Sequence, residues 1–221
     1  NEVCFKQLSD AVKLVYASVF YEAPVRYAQN ADIRIEEEKM AVLIQELVGE
    51  YYGEHFYPAI SGVAQSYNFY PYYPIKPEDG TVSLALGFGK TIVEGERTFR
   101  FSPVYPKLNP LVSSPQEQMS KAQNLFYSVN LKKTANLTLQ ADEDYVYEKM
   151  PVSQAYKDGA LEYIGSTYSA ENDCIYDNVN HTGLKLITFA PILKYDRLPL
   201  TKIIQDLMLM GKKAFGSDVE I

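Results

Sequence analysis

The chain has 221 residues, 47% of them hydrophobic, which is enough for one large domain or two small ones with a buried core. Its 21 basic and 28 acidic residues leave a formal net charge of −7, and no Lys/Arg stripe stands out. That balance argues against a nucleic-acid surface, which needs clustered positive charge, and no apolar run approaches the roughly 20 residues that span a bilayer. A cytoplasmic chain with no membrane or nucleic-acid partner is the expectation. Cys4 and Cys174 are too few for a disulfide scaffold or a zinc site and read as reduced thiols. The N-x-T triplets at Asn136 and Asn180 are of a kind that arises by chance.

Phe5, Leu8, Val12, Val15, Tyr16 and Val19 recur at helical spacing and predict an amphipathic helix over 4–20. A short helix follows over 22–30, with Pro24 tolerated in its first turn. Glu36-Glu37-Glu38 reads as a solvated turn. The apolar run MAVLIQELV, 40–48, has the length and branching of a buried strand. Strands are expected around Ser61-Gly62, over 81–88 and over 98–103, where Phe99 and Phe101 share a face. Ser114, Pro115 and Glu117 form an N-cap, a first helical proline and a capping-box partner, which predicts a helix to about residue 129. A strand over 143–149, a short helix ending near Gly159 and strands over 161–168 and 184–190 follow. Leu200, Ile203, Ile204 and Leu207 mark a helix over about 198–214 that starts at Pro199. Strands and helices mix without strict alternation, which favours an α+β fold.

LALGFGKTIVEGE, 84–96, has the look of a phosphate-cradling loop, but its spacing fails. A P-loop places its first glycine five positions before the Gly-Lys pair, and that position is Leu84. Gly87 and Gly89 serve instead as tight backbone at a strand end.

MAVLIQELVG, ISGVA and SLALGFGKTIVEG, in that order, together resemble the nucleotide-binding domain of phosphoenolpyruvate synthase and pyruvate, phosphate dikinase. The family's pattern is MAV-x-VQ-x-MV, then SGV, then G-L-G-E-x-V-V-x-G. Here these become Met40–Val48, Ser61-Gly62-Val63 and Gly87–Gly95. ILKYD, 192–196, and the closing DVEI resemble the approach to the family's acidic strand. The resemblance implies an ATP-grasp-like lobe, a mixed or antiparallel sheet flanked by helices. It also implies ATP and Mg²⁺ as cofactors and an ATP-dependent kinase of the pyruvate, water dikinase type as the parent. That parent passes a phosphoryl group through a carrier histidine to pyruvate on other domains. In this reading Gln45, Glu46, Leu47 and Val48 read the adenine edge, and Glu220 is the first acidic metal ligand. Lys90 stands where the family commonly has Glu; it can contact a phosphate, pair with Glu94, or do neither as an exposed surface lysine.

The family's phosphate-gripping Lys and Arg belong upstream of Asn1, and its second acidic ligand belongs directly after Ile221. The chain, 1–221, is therefore expected to be a fragment truncated at both ends of the site and inactive by itself. His55 and His181 do not match the carrier histidine and read as loop residues, and Asp142-Glu143-Asp144 reads as a solvated turn. Tyr51, Tyr52, Tyr57, Tyr67, Tyr70, Tyr72 and Tyr73 crowd one region with Phe56 and Phe69. The alternative function follows from them and from Lys90: a non-catalytic interaction module with a decayed nucleotide site and a tyrosine-rich working face.

Overall fold

The computed structural model describes residues 2–31, 34, 37, 39–108, 114–134 and 145–221. Glu36, Glu38, Asn136 and the 142–144 acidic turn lie outside the described residues, as does the start of the strand expected over 143–149. The chain divides into two compact units: residues 1–47 with 136–145, and 48–135 with 146–221.

The first unit contains helix α1, Glu2–Ser18, and helix α2, Glu22–Asn30. The helical spacing of Phe5 to Val19 produces α1 as expected, but no residue of that helix is buried. Pro24 sits in the first turn of α2, where a missing N–H costs little. Arg26 and Glu22 pair across one turn of it at 2.5 Å. Residues 40–48 differ from expectation, for they form no strand. A strand is stabilised by a neighbour's ladder, and this run makes no backbone hydrogen bond with any described residue. Leu43, Ile44, Leu47 and Val48 stay in solvent, Leu43 being 80% and Val48 78% exposed, while Met40 and Val42 are half-buried.

The second unit opens with β1 (Glu50–Tyr52), β2 (His55–Tyr57), β3 (Ser61–Gln65), β4 (Thr81–Ala85) and helix α3 (Lys90–Val93). It continues with β5 (Phe99–Phe101), α4 (Pro115–Lys121), β6 (Leu125–Asn130), α5 (Leu131–Thr134), β7 (Tyr147–Pro151) and α6 (Val152–Lys157). It closes with β8 (Gly165–Ser169), β9 (Cys174–Tyr176), β10 (Leu184–Ile187), α7 (Ala190–Leu193) and α8 (Leu200–Phe215). The strands form three antiparallel sheets, ordered β1-β2-β6-β7, β3-β4-β5 and β10-β8-β9. With the helices this is an α+β fold.

Ser114 caps α4 as its sequence predicts, accepting the Glu117 N–H at 3.2 Å. The helix stops at Lys121 instead of near 129, because Gln123 is taken by a distant strand end. Its side-chain amide accepts the Leu86 N–H at 2.8 Å and donates to the Leu86 carbonyl at 3.0 Å. The chain beyond it is extended and becomes β6, paired on both edges. Tyr57, Phe126, Leu161, Ile164, Phe189 and Ile192 form the centre of the core and are essentially inaccessible.

Candidate functional site

Lys90 is positioned by the turn that leaves β4. Gly87 sits at φ +78°, and a Cβ on it would lie 2.6 Å from the Tyr127 carbonyl oxygen, so only glycine passes there without strain. The next residue, Phe88, donates its N–H to that carbonyl at 3.1 Å. The turn delivers Lys90 at the start of α3, where its Nζ lies 2.8 Å from Glu94, one helical turn on. The same Nζ stands 5.5 Å and 5.7 Å from the ring centres of Tyr127 and Tyr147.

Glu94 also accepts the Tyr127 hydroxyl, and Lys149, itself paired with Glu96, stands 4.0 Å away. The Lys90 ammonium first, and then the Tyr127 hydroxyl, hold the Glu94 carboxyl below its usual range. Burial first, and then the bond to Glu94, push the Tyr127 hydroxyl up. The bond to Glu96 first, and then Tyr127, push the Lys149 ammonium up. Two cations and two carboxylates thus close around two aromatic rings.

Gln45, Glu46, Leu47 and Val48 are exposed and in irregular chain, and the division between the two units falls between Leu47 and Val48. Their backbone N–H and C=O groups bond to no described residue. Glu220 belongs to the second unit. The segment carrying it pairs antiparallel with β3: Ile221 and Ala64 exchange both backbone bonds at 2.9 Å. DVEI is therefore strand-like, as its sequence suggests. The Glu220 carboxylate accepts the Gln65 side-chain amide at 2.5 Å. Asp218 nearby in sequence is bound by Lys212 at 2.8 Å and by the Ser66 hydroxyl at 2.9 Å. Lys212 first, and then Ser66, hold the Asp218 carboxyl down. Among the described residues no three His, Cys, Asp or Glu side chains are grouped to hold a metal. One amide-bound carboxylate does not fit the near-octahedral oxygen shell of Mg²⁺.

A profile described as pyruvate phosphate dikinase, AMP/ATP-binding domain, matches residues 1–174. The chain belongs to that family. No curated protein and no solved structure matches it. The α+β architecture agrees with the ATP-grasp-like fold that the motifs imply. Among the described residues of this AMP/ATP-binding domain no helix is long and apolar enough to cross a membrane.

Other expectations resolve differently. His55 is not a loop residue: it opens β2, half-buried, its Nδ1 3.3 Å from the Ser128 hydroxyl and 3.9 Å from Glu148. His181 does lie outside helices and strands and stacks on Tyr176. The tyrosine-rich region divides. Phe56 and Tyr57 belong to the core, while Tyr51, Tyr70 and Tyr73 are exposed. Sequence reasoning missed a largely apolar groove of about 300 Å³ whose lining includes Gly62, Val63 and Leu84 with Ile204, Leu207 and Ile221. The SGV motif and the apolar stripe of α8 are the signals that locate it, but their meeting is tertiary. Lys149 and Glu96, which complete the cluster around Lys90, have no local signal at all.

Proposed function

We propose that this chain is the ATP-binding part of a phosphotransferase of the phosphoenolpyruvate synthase or pyruvate phosphate dikinase type. The family match over residues 1–174 carries the reading. The backbone groups of Gln45 to Val48, which bond to no described residue, supply the hydrogen bonds for an adenine edge. Lys90 meets a phosphate oxygen once Glu94 gives way. In the intact cytoplasmic protein the phosphoryl group passes from ATP to a carrier histidine on another domain and then to pyruvate. Residues 1–221, part of that domain, do not turn over ATP by themselves.

The test is amide-resolved NMR of the chain with AMP at about 10 mM, strong enough to reveal a weak site. Shifts centred on 45–48 are expected, and shifts centred elsewhere overturn the adenine assignment. Hydrolysis of ATP by the purified chain would contradict its predicted inactivity.

A second reading is favoured by one observation: Tyr51, Phe69, Tyr70 and Tyr73 are 74%, 71%, 81% and 96% exposed. In that reading the domain is a non-catalytic interaction module. Absence of any AMP-induced shift, with the fold intact, selects it.

A further inference from the structure

A second pocket, of about 290 Å³, lies wholly within the second unit, with Tyr156, Glu162, Asn178, Val179, Asn180 and Arg197 in its lining. Part of its wall, Asn178 to Asn180 and Arg197, lies beyond the matched residues 1–174. The loop that forms this wall is fixed. Thr167 Oγ1 donates to the Asn178 carbonyl at 2.8 Å, and the Asn178 N–H donates to Tyr176 at 2.8 Å. Val179 packs on the core over Gly165, where a Cβ would come within 2.5 Å of it. The His181 ring stacks on Tyr176 with centroids 3.9 Å apart, and Lys185 donates to the His181 carbonyl.

Several polar ends at the pocket bond to no described residue. The Arg197 guanidinium, the Glu162 carboxylate, the Asn180 side-chain amide and the Tyr156 hydroxyl have no protein partner among the described residues. Asn178 Oδ1 accepts the Asn180 N–H at 3.0 Å, which leaves the Asn178 Nδ2 donors free. Arg197 and Glu162 form no ion pair with each other, although both line the same pocket. Lys185 is not in the lining; its Nζ bonds Thr167 Oγ1 and the His181 carbonyl and stands 4.9 Å from the centre of the Tyr156 ring.

The anchored loop holds Asn178 and Asn180 at the pocket, while Glu162 and Arg197 reach it from other segments of the second unit. The charges restrict the ligand. A dianion is repelled by Glu162, and a plain cation by Arg197. A molecule carrying both charges satisfies both ends, and Arg suits a carboxylate because its planar fork donates two parallel bonds. The volume is at the lower end of the range for small-molecule pockets, so the ligand has few heavy atoms.

We propose that this pocket binds a small polar α-amino acid, with its carboxylate on Arg197, its ammonium on Glu162 and its side-chain hydroxyl or amide against Asn178 and Asn180. The site is independent of the nucleotide reading and stands or falls separately from it.

Calorimetric titration of the whole chain with L-serine tests it, with propionate and ethanolamine as half-ligands. Serine is expected to bind at least about tenfold more tightly than either, since each half-ligand lacks one charge-assisted contact. Arg197→Gln and Glu162→Gln are each expected to weaken serine by about tenfold, and Arg197→Lys by less. Both side chains are exposed, and an unchanged urea midpoint confirms that the variants fold. No heat with serine, propionate binding as tightly as serine, or unaltered affinity in both glutamine variants would each overturn the proposal.

Discussion

Helix α1 leaves Phe5 74% and Val3 70% exposed, whereas Phe126 in β6 is 1% exposed and Tyr57 in β2 not at all. Both regions carry apolar residues at regular spacing, and only the second buries them. A helix of this length gains little from its own hydrogen bonds, and most helical stability in proteins comes from packing an apolar face. The sheet unit joins distant parts of the chain. Tyr57 meets Phe126 as a tilted ring pair, centroids 4.7 Å apart and planes at 54°, and donates its hydroxyl to Asp158, 101 residues on, at 2.6 Å. Apolar spacing states which face a segment can bury; it does not state whether a partner covers that face.

The contrast is broken most easily with alanine. Phe126→Ala is expected to cost about 3–5 kcal/mol, the usual loss for a buried aromatic ring. Phe5→Ala, in solvent, is expected to change stability by less than about 0.5 kcal/mol. Urea unfolding followed by near-ultraviolet circular dichroism measures both. Similar losses for the two variants would mean that α1 is packed in solution, and the comparison would then fail.

The same distinction explains what the sequence discloses. Helix α8 is legible from Leu200, Ile203, Ile204 and Leu207 with Pro199 before them, and the start of α4 from its Ser-Pro-x-Glu cap. These signals are local. The end of α4 is set by Gln123 bonding Leu86, 37 residues away, and no local pattern announces that. The strand expected at 40–48 fails for the complementary reason: its composition is strand-like, but a strand exists only with a neighbour. At the candidate site, the Lys90–Glu94 pair follows from i, i+4 spacing. Glu220 meeting Gln65, 155 residues earlier, does not follow from any spacing.

Alkali sharpens the account of the packed unit. Burial first, and then the hydrogen bond to Glu50, push the Tyr52 hydroxyl from 10.0 up to about 12. Burial and the bond to Asp158 push Tyr57 upward as well. A raised folded-state value means that the folded protein holds the proton more tightly than the unfolded chain. The contribution is therefore complete below pH 10 and is lost as pH rises through about 12. The urea midpoint of the parent chain is expected to fall across that window. Tyr52→Phe, with no proton to lose at this position, is expected to fall less steeply. Parallel curves would show that Tyr52 ionises as readily in the folded chain as in the unfolded one.

The smallest effect concerns how each region starts a helix. Helix α4 begins at Ser114, whose side chain accepts an otherwise unbonded N–H, and Ser114→Ala should cost about 1 kcal/mol in urea unfolding. Helix α2 begins at Tyr21, whose backbone is extended as an N-cap requires but whose side chain makes no capping bond. Tyr21→Ser supplies the missing acceptor without altering that backbone and should stabilise α2 by roughly 0.5–1 kcal/mol. The gain is to be read as increased helical circular dichroism, because α2 buries only Ala28 and contributes little to a global transition. If Tyr21→Ser raises helicity while Phe5→Ala leaves stability unchanged, the N-terminal helices are governed by their own ends and the sheet unit by its core. Unchanged helicity would instead mean that the start of α2 is held by something other than its cap.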